Sequence, residues 1–365
     1  MSVVSSRNTA IIALAAVAAL AGCSSGAGTS SGGAGKPVKI ALFLPESKTA
    51  RYEAKDRPLF TAKIKQLCGD CEVLYYNAEQ DPAKQQQQVE QSITDGAQVL
   101  VLDPVDSTAS AQLVTRAKQA KIPVIAYSRP ILNADIDYFV SNDNYQVGVM
   151  QGQALISALK ADGKTEGNIV MINGSPTDNN AAQFKRGAHS VLDTSGFTIA
   201  AEYDTPDWSP DKAQQQMDQA ITKMGAGDIA GVYAANDGTA GGAIAAMKTA
   251  GMKALPPITG QDAELAAIQR VLAGEQYMTV YKPIQPQAEA AAELAVALAN
   301  GKRPPANLVN AAFANGRKDV PTVNTPIKTV TQKDVLPTII KDGFWSPQQI
   351  CVDQYKVVCT QAEIR

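Results

Sequence analysis

Carboxylate, carboxamide and cationic side chains recur in this sequence where strand-like apolar runs give way to helix-like ones. In the second half they are Asp178 and Asn180 in "NGSPTDNN", Trp208 closing "YDTPDW", Asn236 and Asp237 in "YAAND", Asp262 in "GQDAE" and Lys282 in "YKP". In the first half they are Arg51 and Tyr52 in "ESKTARY" and Ser128 and Arg129 in "AYSRP". Carboxylates accept from hydroxyl groups and Arg, Lys and Asn donate to them, so this set suits a neutral polyhydroxylated molecule, with charge-assisted bonds of about 1.5–3 kcal/mol each. Trp208 adds a flat apolar plate that can lie against a ring. A phosphate fits poorly, because the acids repel it and "NDGTAGGAIAAMK" has the spacing neither of a P-loop nor of a dinucleotide fingerprint. That stretch reads as a strand-end Asn236 aimed at a ligand, with small residues letting the next helix start close to the sheet. Asp237 and Asn179 are expected to be helix N-caps. Paired acids Asp178 and Asp262 also raise glycoside hydrolysis as an alternative, but nearby Lys282 and the arginines favour both staying ionised. His189 is the only histidine, sits in a helical run and is expected on a helix surface. A Ser-His-Asp triad or a His-based zinc site is therefore not expected, and no cofactor or metal is called for.

The elements that position these residues alternate regularly. "VKIALFL", "EVLYY", "AQVLVLD" and "IPVIAY" are strand-like, separated by "YEAKDRPLFTAKIKQL", the Gln-rich stretch around "KQQQQVEQSITDG", and "STASAQLVTRAKQA". After "DYFVSNDN" the pattern restarts with the helical "QVGVMQGQALISALKA", then "NIVMING", "NAAQFKRGAHSVLD", "FTIAAEY", "PDKAQQQMDQAITKM", "IAGVYAAND", "GTAGGAIAAMKTAG", "PPITGQD", "AELAAIQRVLAG" and "QYMTVYK". Apolar strands separated by helix-length segments predict α/β lobes, each a parallel sheet covered on both faces. Ligands of such sheets bind beyond the carboxyl ends of the strands, where the polar residues above fall.

At 365 residues two domains are expected, and a net charge of -2 offers nothing to neutralise a nucleic-acid backbone. Arg7 and the apolar run Ala10–Ala21 have the length of a signal-peptide core, too short to span a bilayer comfortably. "LAGC", ending at Cys23, resembles the lipobox of bacterial lipoproteins, whose cysteine is lipidated after removal of residues 1–22. Residues 23–35, rich in Ser and Gly, read as a flexible tether. The remaining thiols, Cys68 and Cys71 in "LCGDCE" and Cys351 and Cys359, then sit in an oxidising compartment, which predicts two local disulfides. A redox role for the first pair needs the motif to open a helix in a thioredoxin-like unit; here it follows a helix-like stretch and precedes a strand.

The segments "KIALFLPESKTARYEAKDR", "GAQVLVLDPVDS", "ADIDYFVSNDNYQVG", "GSPTDNNAAQF", "NDGTAGGAIAAM", "GQDAELAAIQRVLAGEQYMTVYKPI" and "GRKDVPTV", in order from about Val38 to Phe344, resemble the periplasmic D-xylose-binding proteins of bacterial ABC transporters. That resemblance implies a type I periplasmic binding protein: two Rossmann-like lobes joined by a three-stranded hinge, with residues 36–142 plus about 284–325 in one and 143–283 plus about 326–365 in the other. It implies sugar contacts from Arg51, Arg129, Asp178, Asn180, Trp208, Asn236, Asp262 and Lys282, with Tyr52 and Phe184 as apolar walls. The family has an Asp where this chain has Ser128, which leaves the sugar open between xylose and other aldoses such as glucose, galactose or arabinose. The implied protein is a monomeric, lipid-anchored, extracytoplasmic carrier that makes and breaks no bond. Its partners are a membrane permease and a cytoplasmic ATPase, and a sugar-sensing receptor role is the alternative. Repressors share the fold, but no helix-turn-helix precedes Lys36.

Overall fold

Short, wholly apolar segments form the inner strands, because a parallel strand covered by helices on both faces can expose nothing polar. The computed structural model describes residues 37–364; the signal-like run, Cys23 and the Ser/Gly segment lie outside them. The first lobe runs β1 (Lys39–Leu44), α1 (Arg57–Leu67), β2 (Glu72–Asn77), α2 (Pro82–Thr94), β3 (Val99–Leu102), α3 (Ala111–Gln119), β4 (Val124–Tyr127) and β5 (Tyr138–Ser141). β3 ("VLVL") and β4 ("VIAY") are buried at every residue. The second lobe runs α4 (Asn144–Ala161), β6 (Asn168–Asn173), α5 (Asn179–Leu192), β7 (Thr198–Asp204), α6 (Pro210–Met224), β8 (Ile229–Ala234), α7 (Asp237–Thr249), α8 (Leu265–Leu272) and β9 (Thr279–Tyr281). The chain then continues through α9 (Ile284–Ala299), β10 (Ala311–Ala314), β11 (Asp319–Asn324), β12 (Lys328–Val330), α10 (Pro347–Ile350) and α11 (Lys356–Gln361).

The first sheet has the order β10-β11-β5-β4-β3-β1-β2, parallel except for β10 against β11. The second is the parallel β7-β6-β8, beside an antiparallel β12-β9 pair. α9 returns to the first sheet, burying Ala288, Ala291, Leu294 and Ala295 against Ile40, Leu42 and Val101. The residues after β12 pack on the second lobe, where Val335, Ile339, Phe344, Trp345 and Ile350 share a core with Ile268 and Leu272. The stretch "PPITGQD", read from sequence as a strand, contributes only isolated bridges, Ile258 to Val232 and Gln261 to Val280. Pro256 and Pro257 remove donors that a longer ladder needs.

The chain passes between the lobes three times: after β5, after β9 and between β11 and β12. Two crossings are tied together, with the Thr325 amide donating to the Ser141 carbonyl at 2.9 Å and Asn142 Nδ2 donating to Thr325 Oγ1 at 2.6 Å. The glycine run opening α7 serves packing: a Cβ on Gly242 would lie 2.1 Å from the Pro210 carbonyl oxygen of α6. Among the described residues no helix is long and apolar enough to cross a membrane. The sulfurs of Cys68 and Cys71, and of Cys351 and Cys359, lie at bonding distance, with Cα separations of 5.3 and 5.8 Å.

Candidate functional site

Strand ends of the two sheets face each other across a small cavity. Its wall contains all eleven residues singled out from sequence: Arg51, Tyr52, Ser128 and Arg129 from the first lobe, and Asp178, Asn180, Phe184, Trp208, Asn236, Asp262 and Lys282 from the second. Sequence reading missed Thr49 and Gln261, which also line it. Both lie within strand-end stretches already quoted, which was the available signal.

Arg51 is held rigidly, its Nε and Nη2 donating to Asp56 Oδ2 and Oδ1 at 2.9 and 2.7 Å, while Nη1 lies 3.8 Å from Asp262 Oδ1 across the cavity. The Tyr127 hydroxyl also donates to Asp56, so a fully buried acid fixes the guanidinium from behind. Arg129 Nε forms an ion pair with Asp178 Oδ2 at 3.0 Å. Glu46 Oε1 and Asp103 Oδ1 stand 3.7 Å from the same guanidinium. Burial opposes its charge, but the surrounding Tyr52, Asp178, Asp103 and Glu46 outweigh that and raise its pKa. Lys282 Nζ pairs with Asp262 Oδ1 at 2.6 Å and donates to Gln261 Oε1 at 3.1 Å. Burial nonetheless lowers its pKa, against the pull of Asp262.

The aromatic wall is Trp208, edge-on to Phe184 with ring centroids 6.3 Å apart. Its Nε1 donates to Asp178 Oδ2 at 3.1 Å. The ring lies over Gly174, where a Cβ would come within 2.0 Å of it. Positive φ values at Asp207 (61°), Trp208 (53°), Asp262 (96°) and Ser128 (59°) concentrate backbone strain around the cavity, as binding sites commonly do.

Two expectations are corrected. The N-cap of α5 is Asp178, whose Oδ1 accepts from the Asn180 amide at 2.9 Å, and Asn179 is the first helical residue. Likewise Asn236 caps α7 in a capping box with Thr239. Asp237 is instead a buried acceptor below the site, bonded by Gln276 Nε2, Thr279 Oγ1 and the Glu264 amide. In both cases the residue one place earlier has extended backbone angles and a side chain that accepts from the first turn, so the cap position falls on the cavity-lining residue. Trp345, which the sequence left outside the matched strand ends, donates from Nε1 to the Ala263 carbonyl at 2.7 Å, beside Asp262. Lys55 of the first lobe sits 4.0 Å from its ring centroid and donates to the Phe344 carbonyl. His189 lies partly exposed on α5, bonded to Asp193 and Glu202. Among the described residues no group of three or more His, Cys, Asp or Glu side chains is arranged to hold a metal ion.

The geometry can enclose a small hydroxylated molecule between donors and acceptors whose positions are already set. Comparison with known proteins agrees with this arrangement. Residues 40–303 match the periplasmic binding protein domain. The D-xylose-binding periplasmic protein of Escherichia coli K12 is 38% identical over 320 residues, 86% of this chain and 93% of that protein. The multiple sugar-binding periplasmic receptor ChvE of Rhizobium radiobacter is 31% identical over 85% of this chain and 92% of its own length. An ABC transporter solute-binding protein from Clostridium phytofermentans, solved with bound β-D-glucose, superposes with a TM-score of 0.79 at 27% identity, covering 86% of this chain and 99% of that one. The chain belongs to the periplasmic binding protein family.

Proposed function

We propose that this protein is the substrate-binding lipoprotein of an ABC sugar importer, closing its lobes over one aldose, D-xylose first among the candidates, and presenting it to a membrane permease driven by a cytoplasmic ATPase. The observation that carries this reading is the convergence on one small cavity of three cations, two carboxylates, three carboxamides and Trp208. The space between these groups is small, so it suits a single sugar ring rather than a longer chain. In this reading Arg51, Arg129, Lys282, Asn180 and Asn236 donate to sugar hydroxyls, and Asp178 and Asp262 accept from them. Trp208 lies on the apolar face of the ring, with Tyr52 and Phe184 closing the sides. The relatives from E. coli and R. radiobacter support the ligand class.

The three crossings act as the hinge between a first lobe of residues 36–142 plus about 284–325 and a second of 143–283 plus about 326–365, and closure presents a joined surface to the permease. No bond is made or broken: Asp178 already pairs with Arg129 and Asp262 with Lys282, so each acid is engaged by a cation rather than set out as a proton donor and a nucleophile. Cys23 carries the lipid anchor, and Cys68–Cys71 and Cys351–Cys359 are disulfides of the extracytoplasmic monomer. The R. radiobacter receptor favours a second reading, in which the same closed form signals to a sensory partner and several aldoses are accepted.

Titration calorimetry with D-xylose, D-glucose, D-galactose, arabinose and polyols tests the reading. One aldose should bind with a dissociation constant in the micromolar range or tighter, on the order of 8 kcal/mol or more. Comparable affinity for several aldoses supports the receptor reading. No aldose bound at millimolar concentration, or turnover of an aryl glycoside, overturns the proposal.

A further inference from the structure

Asp103 directly follows β3 and is fully buried, yet neither of its carboxylate oxygens has a hydrogen-bond donor. Its backbone is anchored, the amide donating to the Phe43 carbonyl at 3.0 Å and the carbonyl accepting from Gln85 Nε2 at 2.9 Å. A buried acid without donors costs the fold stability. Burial raises its pKa, and nearby Asp178 adds like-charge repulsion that Arg129 opposes. Within the first lobe it is chiefly the Arg129 guanidinium that offsets that cost.

What Asp103 does reach is Arg129, with Oδ1 3.7 Å from Nε. The other acceptors around this guanidinium are Asp178 Oδ2 at 3.0 Å from Nε, Glu46 Oε1 at 3.7 Å from Nη2 and the Pro104 carbonyl at 3.4 Å from Nη1. At Nε the two acids come from opposite lobes. Asp178 belongs to the second and departs with it when the lobes part; Asp103 stays. Ser128, at the end of the adjoining strand and next to Arg129 in sequence, has no charge with which to do the same.

We propose that Asp103 is a positioning residue of the ligand site, holding the Arg129 guanidinium in its binding orientation before the lobes close and yielding Nε to Asp178 as they do. This rests on the ligand reading above and goes beyond it, since Asp103 does not line the cavity and touches no ligand. It acts by removing the need to order Arg129 at the moment of binding.

The test compares wild type with Asp103→Asn, Asp103→Leu and the double variant Asp103→Asn/Ser128→Asp, measuring the dissociation constant for the aldose that wild type binds most tightly and the ligand-free unfolding temperature. Asp103→Asn and Asp103→Leu should bind at least tenfold more weakly while unfolding at the wild-type temperature or above, because a fully buried carboxyl group without hydrogen-bond donors has been removed. Aspartate tolerates the left-handed conformation at position 128, so the double variant should recover affinity to within about threefold of wild type. Stability and affinity lost together in both single variants would mark a purely structural acid and overturn the proposal. So would an Asp103→Asn variant that binds like wild type, or a double variant that recovers nothing. If Asp103→Leu does not fold, Asp103→Asn and its rescue decide alone. Wild-type protein that binds no aldose overturns the ligand reading, and that result precedes any substitution.

Discussion

Asp178→Asn isolates the contact that joins the lobes through the site. In the wild type Oδ2 of Asp178 receives both Arg129 Nε at 3.0 Å and Trp208 Nε1 at 3.1 Å, while Oδ1 caps α5. Asparagine keeps one acceptor. If its oxygen caps the helix, its NH2 group faces two donors; if it flips, the cap is lost at about 1 kcal/mol. Either way the guanidinium loses its charged partner across the lobes, an interaction with a charged group worth about 1.5–3 kcal/mol. That pair spans the lobes and so exists only in the closed form, which means its loss falls on closure and binding rather than on either lobe alone. At roughly tenfold per 1.4 kcal/mol, the dissociation constant should rise about 10- to 150-fold, read by titration calorimetry with the preferred aldose. The ligand-free unfolding temperature should change little. Binding within twofold of wild type would show that the pair contributes nothing to closure and refute the reasoning.

Trp208→Ala removes both the stacking plate and a donor to Asp178, and should weaken aldose binding by about 1 kcal/mol or more, measured by calorimetry; unchanged affinity removes Trp208 from the ligand wall. Ligand-dependent fluorescence should persist in Trp208→Ala at reduced amplitude, because Trp345 is bonded beside Asp262, and should vanish only when Trp345→Phe is added. Burial raises the Glu264 carboxyl to about 8, with Asp237 and Asp262 adding repulsion. An acid whose folded pKa lies above its unfolded value of about 4.3 holds its full stabilising effect below that lower value and loses it as pH rises through the upper one. Unfolding temperature should therefore fall between about pH 5 and pH 8.5 in wild type and fall less in Glu264→Gln, and parallel slopes in scanning calorimetry would count against this. Cys23→Ser should release the protein from membranes or leave residues 1–22 attached; a variant of intact mass that stays membrane-bound contradicts the anchor.

The alternation of apolar strands and amphipathic helices, and with it the two-lobed α/β fold, was legible along the chain because period and length are local properties. The convergence of Arg129, Asp178 and Asn236 was legible for a related reason: strands of a parallel sheet end on the same edge, so a polar residue's place after its strand sets its place in space. What followed each strand by a single residue was not. Whether Asp178 or Asn179 caps α5, and Asn236 or Asp237 caps α7, depends on the backbone angles at which the chain leaves the sheet, and composition does not encode those one residue at a time. The acids behind the wall were equally hidden. Asp56 falls in the helix-like "YEAKDRPLFTAKIKQL", Asp103 closes the strand-like "AQVLVLD" and Glu46 opens "ESKTARY", and none of these patterns shows that packing buries all three against two arginines. Contacts between residues distant in the chain depended wholly on tertiary structure: Asn142 meets Thr325 across 183 residues, and Trp345 reaches back to Ala263 across 82. Side-chain chemistry and periodicity belong to the sequence, whereas which charge is desolvated, and by which distant neighbour it is then held, exists only once the lobes have packed.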